Sequence, residues 1–270
     1  DRSTLARDIG VAVLRQSRNS SDLLTRLGRL YNTDKATEHH FTPFYNAMFS
    51  SQRDSIKSLL EVGVYHGASI QMWRDYFPEA KIYGIDYFRG MMRGDQATSS
   101  ANKVREMGDT LSKLEAMNPK IVPNVFGSRV KLLDINQSDV AEMDRATKRD
   151  QPLGSAAPFD IIIEDGSHAQ RDQQLNLAQL FPLLKPGGVY VVEDVCSGYQ
   201  KGYDEQPGTM HTTVEILRAF NATRRLRSKH WSTETARSLE AWIESAVIVV
   251  TYRRRWDAIA VLRKRFDEKR

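Results

Sequence analysis

Short apolar runs of strand length alternate along this chain with segments long enough to be helical crossovers, and that alternation constrains the fold more than any other feature. The runs fall at 58–64, 81–85, 130–133, 159–163 and 188–192, and helical spacing appears between them at 68–76 and 170–184. Strands joined by helix-length crossovers lie parallel, with helices packed on both faces of one sheet. Two later runs, 241–243 and 247–252, are too close together for a crossover helix. They predict a hairpin that puts an antiparallel strand into the sheet. Ahead of the first strand, Leu5, Ile9 and Val13, then Leu23, Leu24, Leu27 and Leu30, repeat at helical spacing on either side of the polar stretch 17–21. They predict two helices packed outside the sheet.

The expected architecture is therefore doubly wound, Rossmann-like α/β: a mostly parallel seven-stranded sheet with an antiparallel C-terminal hairpin strand and N-terminal helices. Residues 57–270 form the main domain in this reading, and residues 1–56 a helical segment covering its functional edge. One stretch exceeds a minimal unit, because more than forty residues separate Asp86 from Val130. Val104, Met107, Leu111, Leu114 and Met117 recur there at helical spacing. The insertion, about 89–129, reads as one long crossover helix with loops, or as a lid or oligomer contact.

Composition removes several classes. With 40% hydrophobic and 27% charged residues among 270, wholesale disorder is excluded. Apolar runs stop at strand length, so no segment is expected to span a bilayer. A single cysteine, Cys196, supports neither an intrachain disulfide nor a cysteine-rich zinc site. The net charge of +5 is compatible with an acidic substrate or a nucleic acid and requires neither. The chain opens on Asp1, which reads as a processed or trimmed end, and Asn19, Asn136 and Asn221 begin sequon matches. A cytoplasmic location is expected, with the secretory lumen as the alternative.

Leu59-Leu60-Glu61-Val62-Gly63-Val64-Tyr65-His66-Gly67-Ala68-Ser69 is a strand entering a glycine-containing turn and then a helix. Gly63 and Gly67 allow close approach of a ligand to the backbone, and the helix start offers free N–H groups. Asp86 ends the next strand about twenty residues on, where a carboxylate can hold both ribose hydroxyls. Tyr65 and His66 stand where a pyrophosphate would want glycine, which argues for an adenosine ligand smaller than a dinucleotide.

Ile161-Ile162-Ile163-Glu164-Asp165-Gly166-Ser167-His168 is a buried-type strand ending in two acids with a histidine behind them, and Val189-Tyr190-Val191-Val192-Glu193-Asp194 ends in a second acid pair. Parallel strands deliver both ends to the same carboxyl edge, so Asp165, Glu193 and Asp194 are expected to face one cleft. Two carboxylates ~4 Å apart repel by about 4 kcal/mol at an effective dielectric of 20. A set of this kind needs a cation, or a proton on one member. All-oxygen donors favour a hard ion, Mg²⁺ before Ca²⁺ or Mn²⁺. His168, just past Asp165, is placed to take a proton from a hydroxyl at that ion.

Glu61, the Gly63–Gly67 turn and Asp86 resemble motif I and the acidic residue of class I S-adenosylmethionine-dependent methyltransferases. Glu164-Asp165-Gly166-Ser167-His168, Leu180-Phe181-Pro182, Lys185-Pro186-Gly187-Gly188 and Glu193-Asp194, with Thr33-Asp34-Lys35 and the His40, Thr42-Pro43 and Tyr45 neighbourhood, narrow the likeness. They resemble the Mg²⁺-dependent sugar O-methyltransferases of macrolide biosynthesis, of the mycinamicin 2''-O-methyltransferase type. That resemblance implies S-adenosylmethionine and Mg²⁺ as cofactors, Asp165, Glu193 and Asp194 as metal ligands and His168 as general base. It also implies that Asp34, Lys35, Glu61, Gly63, Gly67, Ser69, Asp86 and Asp165 lie at the cofactor, with Asn136 and Gln137, after the fourth run, beside its adenine. The acceptor would be a hydroxyl of a sugar or glycosylated small molecule, with Tyr199 and His211 as candidate contacts, and a homo-oligomer is compatible. Alternatives are a catechol-type methyltransferase and a non-catalytic adenosine-ligand protein. A nucleic-acid methyltransferase is the third, suggested by Arg224-Arg225-Leu226-Arg227, Arg253-Arg254-Arg255 and Arg263-Lys264-Arg265, though basic runs are usually solvated faces.

Overall fold

The computed structural model of the chain describes residues 12–13, 22–88, 126–199, 211–250 and 257–266. Its strands are β1 (Ala12–Val13), β2 (Ser58–Val62), β3 (Lys81–Asp86), β4 (Val130–Asp134), β5 (Phe159–Glu164), β6 (Leu184–Val192), β7 (Ile243–Val250) and β8 (Ala258–Lys264). They form one eight-stranded sheet in the order β1-β7-β8-β6-β5-β2-β3-β4. β4, β3, β2, β5 and β6 run parallel, and β8 is antiparallel to both β6 and β7. From β2 the chain moves outward to β3 and β4, while β5 leads to β6 on the other side. The crevice at that switch point, outside the carboxyl ends of β2 and β5, is where such sheets bind ligands. Register brings the ends level, with Val62 opposite Glu164 and Glu164 opposite Val192.

The helices are α1 (Leu23–Leu30), α2 (Asp34–Thr37), α3 (Thr42–Phe49), α4 (Ala68–Tyr76), α5 (Val140–Ala146), α6 (Gln170–Leu180), α7 (Thr213–Thr223) and α8 (Thr233–Trp242). Because β2, β5 and β6 are covered on both faces, their side chains are apolar in both phases of the pleat. Leu60, Val62, Ile162, Tyr190 and Val192 pack with Leu177 and Leu180 of α6 and with Leu217 and Phe220 of α7. Leu59, Ile161, Ile163, Val189 and Val191 pack on the opposite side with Trp73 of α4 and with Phe41, Tyr45 and Phe49. Residues 24–56 therefore share a core with the sheet itself.

Two expectations are corrected. Ala12–Val13 is a strand parallel to β7, where a helix was expected through Val13. The terminal hairpin is β7 with β8, shifted from 241–243 with 247–252. Ala241 and Trp242 instead finish α8, whose start Ser232 caps by accepting the Thr235 N–H. Ala258-Ile259-Ala260-Val261-Leu262 then supplies the inner antiparallel strand. Residues 89–125, which hold the helical spacing from Val104 to Met117, lie outside the described residues. No helix among the described residues is long and apolar enough to cross a membrane.

The basic runs have local work. Arg224 donates to the carbonyls of Ile243 and Glu244, and Arg225 pairs with Glu240. Lys264 donates to the carbonyls of Pro182 and Leu184 at the turn into β6. Arg253-Arg254-Arg255 lies outside the described residues.

Candidate active site

Glu61, Asp165 and Glu193 stand at the ends of three neighbouring strands and continue the same alternation as Leu59, Ile163 and Val191, so they face the side covered by the N-terminal segment. Lys35 enters there from α2 and is only 1% exposed. Its Nζ touches Asp165 Oδ2, donates to Glu193 Oε2 at 2.9 Å and lies 3.4 Å from Glu61 Oε1. Burial alone would favour the neutral amine, but the charges of Asp165, Glu193 and Glu61 prevail and hold the ammonium well above the ordinary lysine range. Tyr45 donates to the second Glu193 oxygen at 2.6 Å. A lysine ammonium thus supplies part of the positive charge that these acids demand.

Asp194 lies between two imidazoles, Oδ1 being 3.9 Å from His39 Nδ1 and Oδ2 3.8 Å from His168 Nε2. Burial opposes a charge on His39. The hydrogen bond to Asp257 at 3.1 Å, with the charges of Asp194, Asp257 and Asp34, nevertheless raises it to about 9. Burial also raises the Asp194 carboxyl, against the pull of His168. His168 and Asp194 adopt left-handed backbone, φ 58° and 49°, where a side chain costs roughly 1–3 kcal/mol and persists when the surroundings impose it. Ser197 Oγ donates to the His168 carbonyl at 2.8 Å and fixes that turn. The buried His168 Nδ1 has no hydrogen-bond partner among the described residues.

One ligand atom each from Asp165, His168 and Asp194 lie within 4.8 Å of one another. Glu193 does not join that group. Its oxygens accept from Lys35 and Tyr45, and it is 2% exposed.

The expected cofactor residues also brace the turn. Glu61 accepts from Ser69 Oγ at 2.8 Å and Trp73 Nε1 at 3.2 Å, pinning β2 to α4. Burial, partly offset by Lys35, raises Glu61 to about 7. Gly63, at φ 91°, lies so close to β5 that a Cβ would stand 2.0 Å from the Asp165 carbonyl oxygen. Gly67, at φ 75°, begins α4 and gives the first N–H groups of that helix no side-chain cap. Asp86 accepts from the N–H groups of Val64, Tyr65 and Tyr87 at 2.8, 2.9 and 2.7 Å and so shapes the turn. Asp34 accepts the Lys35 N–H, Asn136 Oδ1 accepts the Ser138 N–H, and Gln137 packs on Gly166 while accepting from Asn176. Tyr199 accepts from Arg218, and the His211 carbonyl accepts from Gln174.

Sequence reasoning missed His39 and Asp257. The signal for the first was present, since His39 follows Lys35 by four residues and can project from the same side of a helical turn. Asp257 carries no such signal, because it reaches His39 across 218 residues.

Glu164 points to the other face, toward α6. Burial, with the charge of Asp165, raises its carboxyl to about 8. Asn176 Nδ2 donates to one oxygen at 3.3 Å, and the other has no partner. A folded pKa above the ordinary value means the fold holds a proton that the unfolded chain sheds between the two. This contribution is full in acid and is lost as pH rises through about 8. Melting temperatures across that range should fall more steeply for the wild type than for Glu164→Gln, the difference in stability approaching about 5 kcal/mol in the limit.

A profile described as a methyltransferase domain matches residues 60–195, from the second residue before Val62 to the one after Asp194. The chain belongs to that methyltransferase family. Among curated relatives, this methyltransferase domain is 30% identical over 191 residues to mycinamicin VI 2''-O-methyltransferase of Micromonospora griseorubida, covering 68% of this chain and 38% of the relative. It is 31% identical over 188 residues to 8-demethyl-8-(2-methoxy-alpha-L-rhamnosyl)-tetracenomycin-C 3'-O-methyltransferase of Streptomyces olivaceus, covering 67% and 38%. The chain thus spans about two fifths of the length of these relatives. The solved structure of MycE methyltransferase from the mycinamycin biosynthetic pathway, in complex with Mg, SAH and mycinamycin VI, superposes with a TM-score of 0.62 at 25% identity over 94% of this chain and 57% of that one.

Proposed function

We propose that this methyltransferase domain transfers the methyl group of S-adenosylmethionine to a hydroxyl of a sugar or glycosylated small molecule, with Mg²⁺ as metal cofactor and His168 as general base. The observation that carries the reading is the convergence of Asp165, Asp194 and His168 at the carboxyl edge, beside a glycine turn and the uncapped start of α4. Curated relatives named as sugar-directed O-methyltransferases, and a similar structure holding Mg and SAH, support it.

The donor set fits a hard divalent ion. Asp165 and Asp194 offer carboxylate oxygens, and His168 stands beside them with its buried Nδ1 unpartnered. These aspartates would hold Mg²⁺, and when bound the ion would lower the pKa of the attacking hydroxyl. His168 takes the hydroxyl proton. The oxygen then forms its bond to the methyl carbon as the carbon–sulfur bond breaks and S-adenosylhomocysteine leaves. The adenosyl ligand would lie outside the carboxyl ends of β2 and β5, beside the glycine turn and the first N–H groups of α4. The larger task of the chain is alignment, since oxygen, carbon and sulfur must lie in line.

Incubation with S-adenosylmethionine, Mg²⁺ and a deoxysugar glycoside should give a mono-O-methylated glycoside by mass spectrometry. EDTA should abolish the product, and Mg²⁺ should restore it. Methylation of a catechol but no glycoside would transfer the reading to the catechol type, and activity indifferent to chelation would remove the metal.

A further inference from the structure

We infer that Asp172 is a positioning residue that serves two loops at once. One oxygen of its buried carboxylate holds both Ser138, beside the expected adenine contacts Asn136 and Gln137, and Ser167, beside the proposed base His168, so that the cofactor loop and the base turn are held as one unit. What the two loops do rests on the function proposed above; how they are joined rests on the fold.

Asp172 stands in the first turn of α6 and is 5% exposed. An acidic or amide side chain at that position commonly turns back to the N–H of the residue that caps the helix. Here the cap residue is Ala169, and its N–H donates to Ser167 Oγ at 3.3 Å. Ser167 Oγ donates in turn to Asp172 Oδ2 at 2.8 Å. The same Oδ2 accepts from Ser138 Oγ, which arrives from the loop after β4. Arg171 completes the clasp, its Nη1 donating to Asp172 Oδ1 at 2.9 Å and to the Ser138 carbonyl at 3.3 Å. Capping the helix would need only the contact with Ser167. The reach to Ser138, across 34 residues, adds nothing to the helix start. The two loops also touch directly. Gln137 lies so close to Gly166 that a Cβ there would stand 1.9 Å from Gln137 Oε1, and Asn176 of α6 donates to that same oxygen at 3.2 Å. Next to Ser167, His168 keeps its left-handed backbone, which persists where the surroundings impose it. A carboxylate is suited to the task, because hydrogen bonds to an ionised acceptor are stronger than those between neutral groups.

Calorimetry with S-adenosylhomocysteine, set beside turnover at saturating S-adenosylmethionine, tests the clasp. Ser138→Ala and Asp172→Ala are each expected to weaken binding by about tenfold or more, the usual worth of a hydrogen bond to a charged group. The Ser138→Ala/Asp172→Ala variant should bind no more weakly than Asp172→Ala alone, because the arm has already lost its anchor. Ser167→Ala should lower turnover more than affinity, Ser138→Ala affinity more than turnover, and Asp172→Ala both. Asp172→Asn keeps a carbonyl oxygen for the two serines and should restore most of both, whereas a role through charge alone would be lost in it. Additive losses in the double variant, Asp172→Asn as impaired as Asp172→Ala, or a lowered melting temperature in Asp172→Ala with affinity and turnover intact would overturn the inference. Where Asp172→Ala does not fold, weaker binding in Ser138→Ala with near wild-type binding in Asp172→Asn supports it, and any other pairing overturns it. A wild type that binds S-adenosylhomocysteine but methylates no glycoside would count against the function proposed above, and the affinities alone would still decide for or against Asp172.

Discussion

Replacing His168 by alanine is expected to lower turnover about 10²–10⁴-fold, the usual contribution of a positioned general base. Binding of S-adenosylhomocysteine, measured by calorimetry, should stay unchanged. The separation follows from how the turn is built. The His168 backbone is anchored through its carbonyl, which accepts from Ser197 Oγ, and not through its ring. The ring makes no hydrogen bond at Nδ1, and Nε2 stands 3.8 Å from Asp194, close enough to feel that charge without being tied to it. Alanine therefore removes the proton acceptor while leaving the turn, Asp165 and the glycine segment in place. Unchanged turnover would remove the base assignment. Loss of cofactor binding along with turnover would show the ring to be structural.

The sheet was legible because strands covered on both faces must be largely apolar in both phases, and β2, β5 and β6 read that way. The strand ends were legible for the complementary reason: Glu164-Asp165 and Glu193-Asp194 interrupt apolar runs where a buried strand would not tolerate acids without a purpose. The acids also implied a positive charge, but its source was not readable. Lys35 reaches Asp165 across 130 residues and Glu193 across 158. No local periodicity encodes such a contact, and only packing of the N-terminal segment onto the sheet creates it. For the same reason the second task of Glu61 and Asp86 was not readable: their oxygens also accept from Ser69, Trp73 and the N–H groups of the turn. The terminal hairpin was misplaced because Ala241-Trp242-Ile243 is apolar enough for a strand, while the Ser232 cap and the burial of Leu239 commit the segment through Trp242 to a helix.

Asp194→Asn is expected to weaken Mg²⁺ binding by more than roughly a hundredfold, the upper end seen when even an outer partner of a metal ligand is lost, and to reduce methyl transfer correspondingly. Calorimetry with Mg²⁺ alone and a turnover assay would check both. The metal-free chain should be no less stable than the wild type, because asparagine keeps the shape and removes a buried charge. Burial already raises the Asp194 carboxyl, so its ionised form is held at a cost that His168 and His39 only partly offset from 3.8 and 3.9 Å. Asp165→Asn should behave differently. It removes an anion in contact with the buried Lys35, so the melting temperature should fall together with Mg²⁺ affinity. The pair of variants separates the aspartate that serves the ion alone from the one that serves the ion and the lysine at once. If both melt alike and both retain Mg²⁺, the two carboxylates do not share an ion, and the cluster at the ends of β5 and β6 is an ion-pair network holding the N-terminal segment to the sheet.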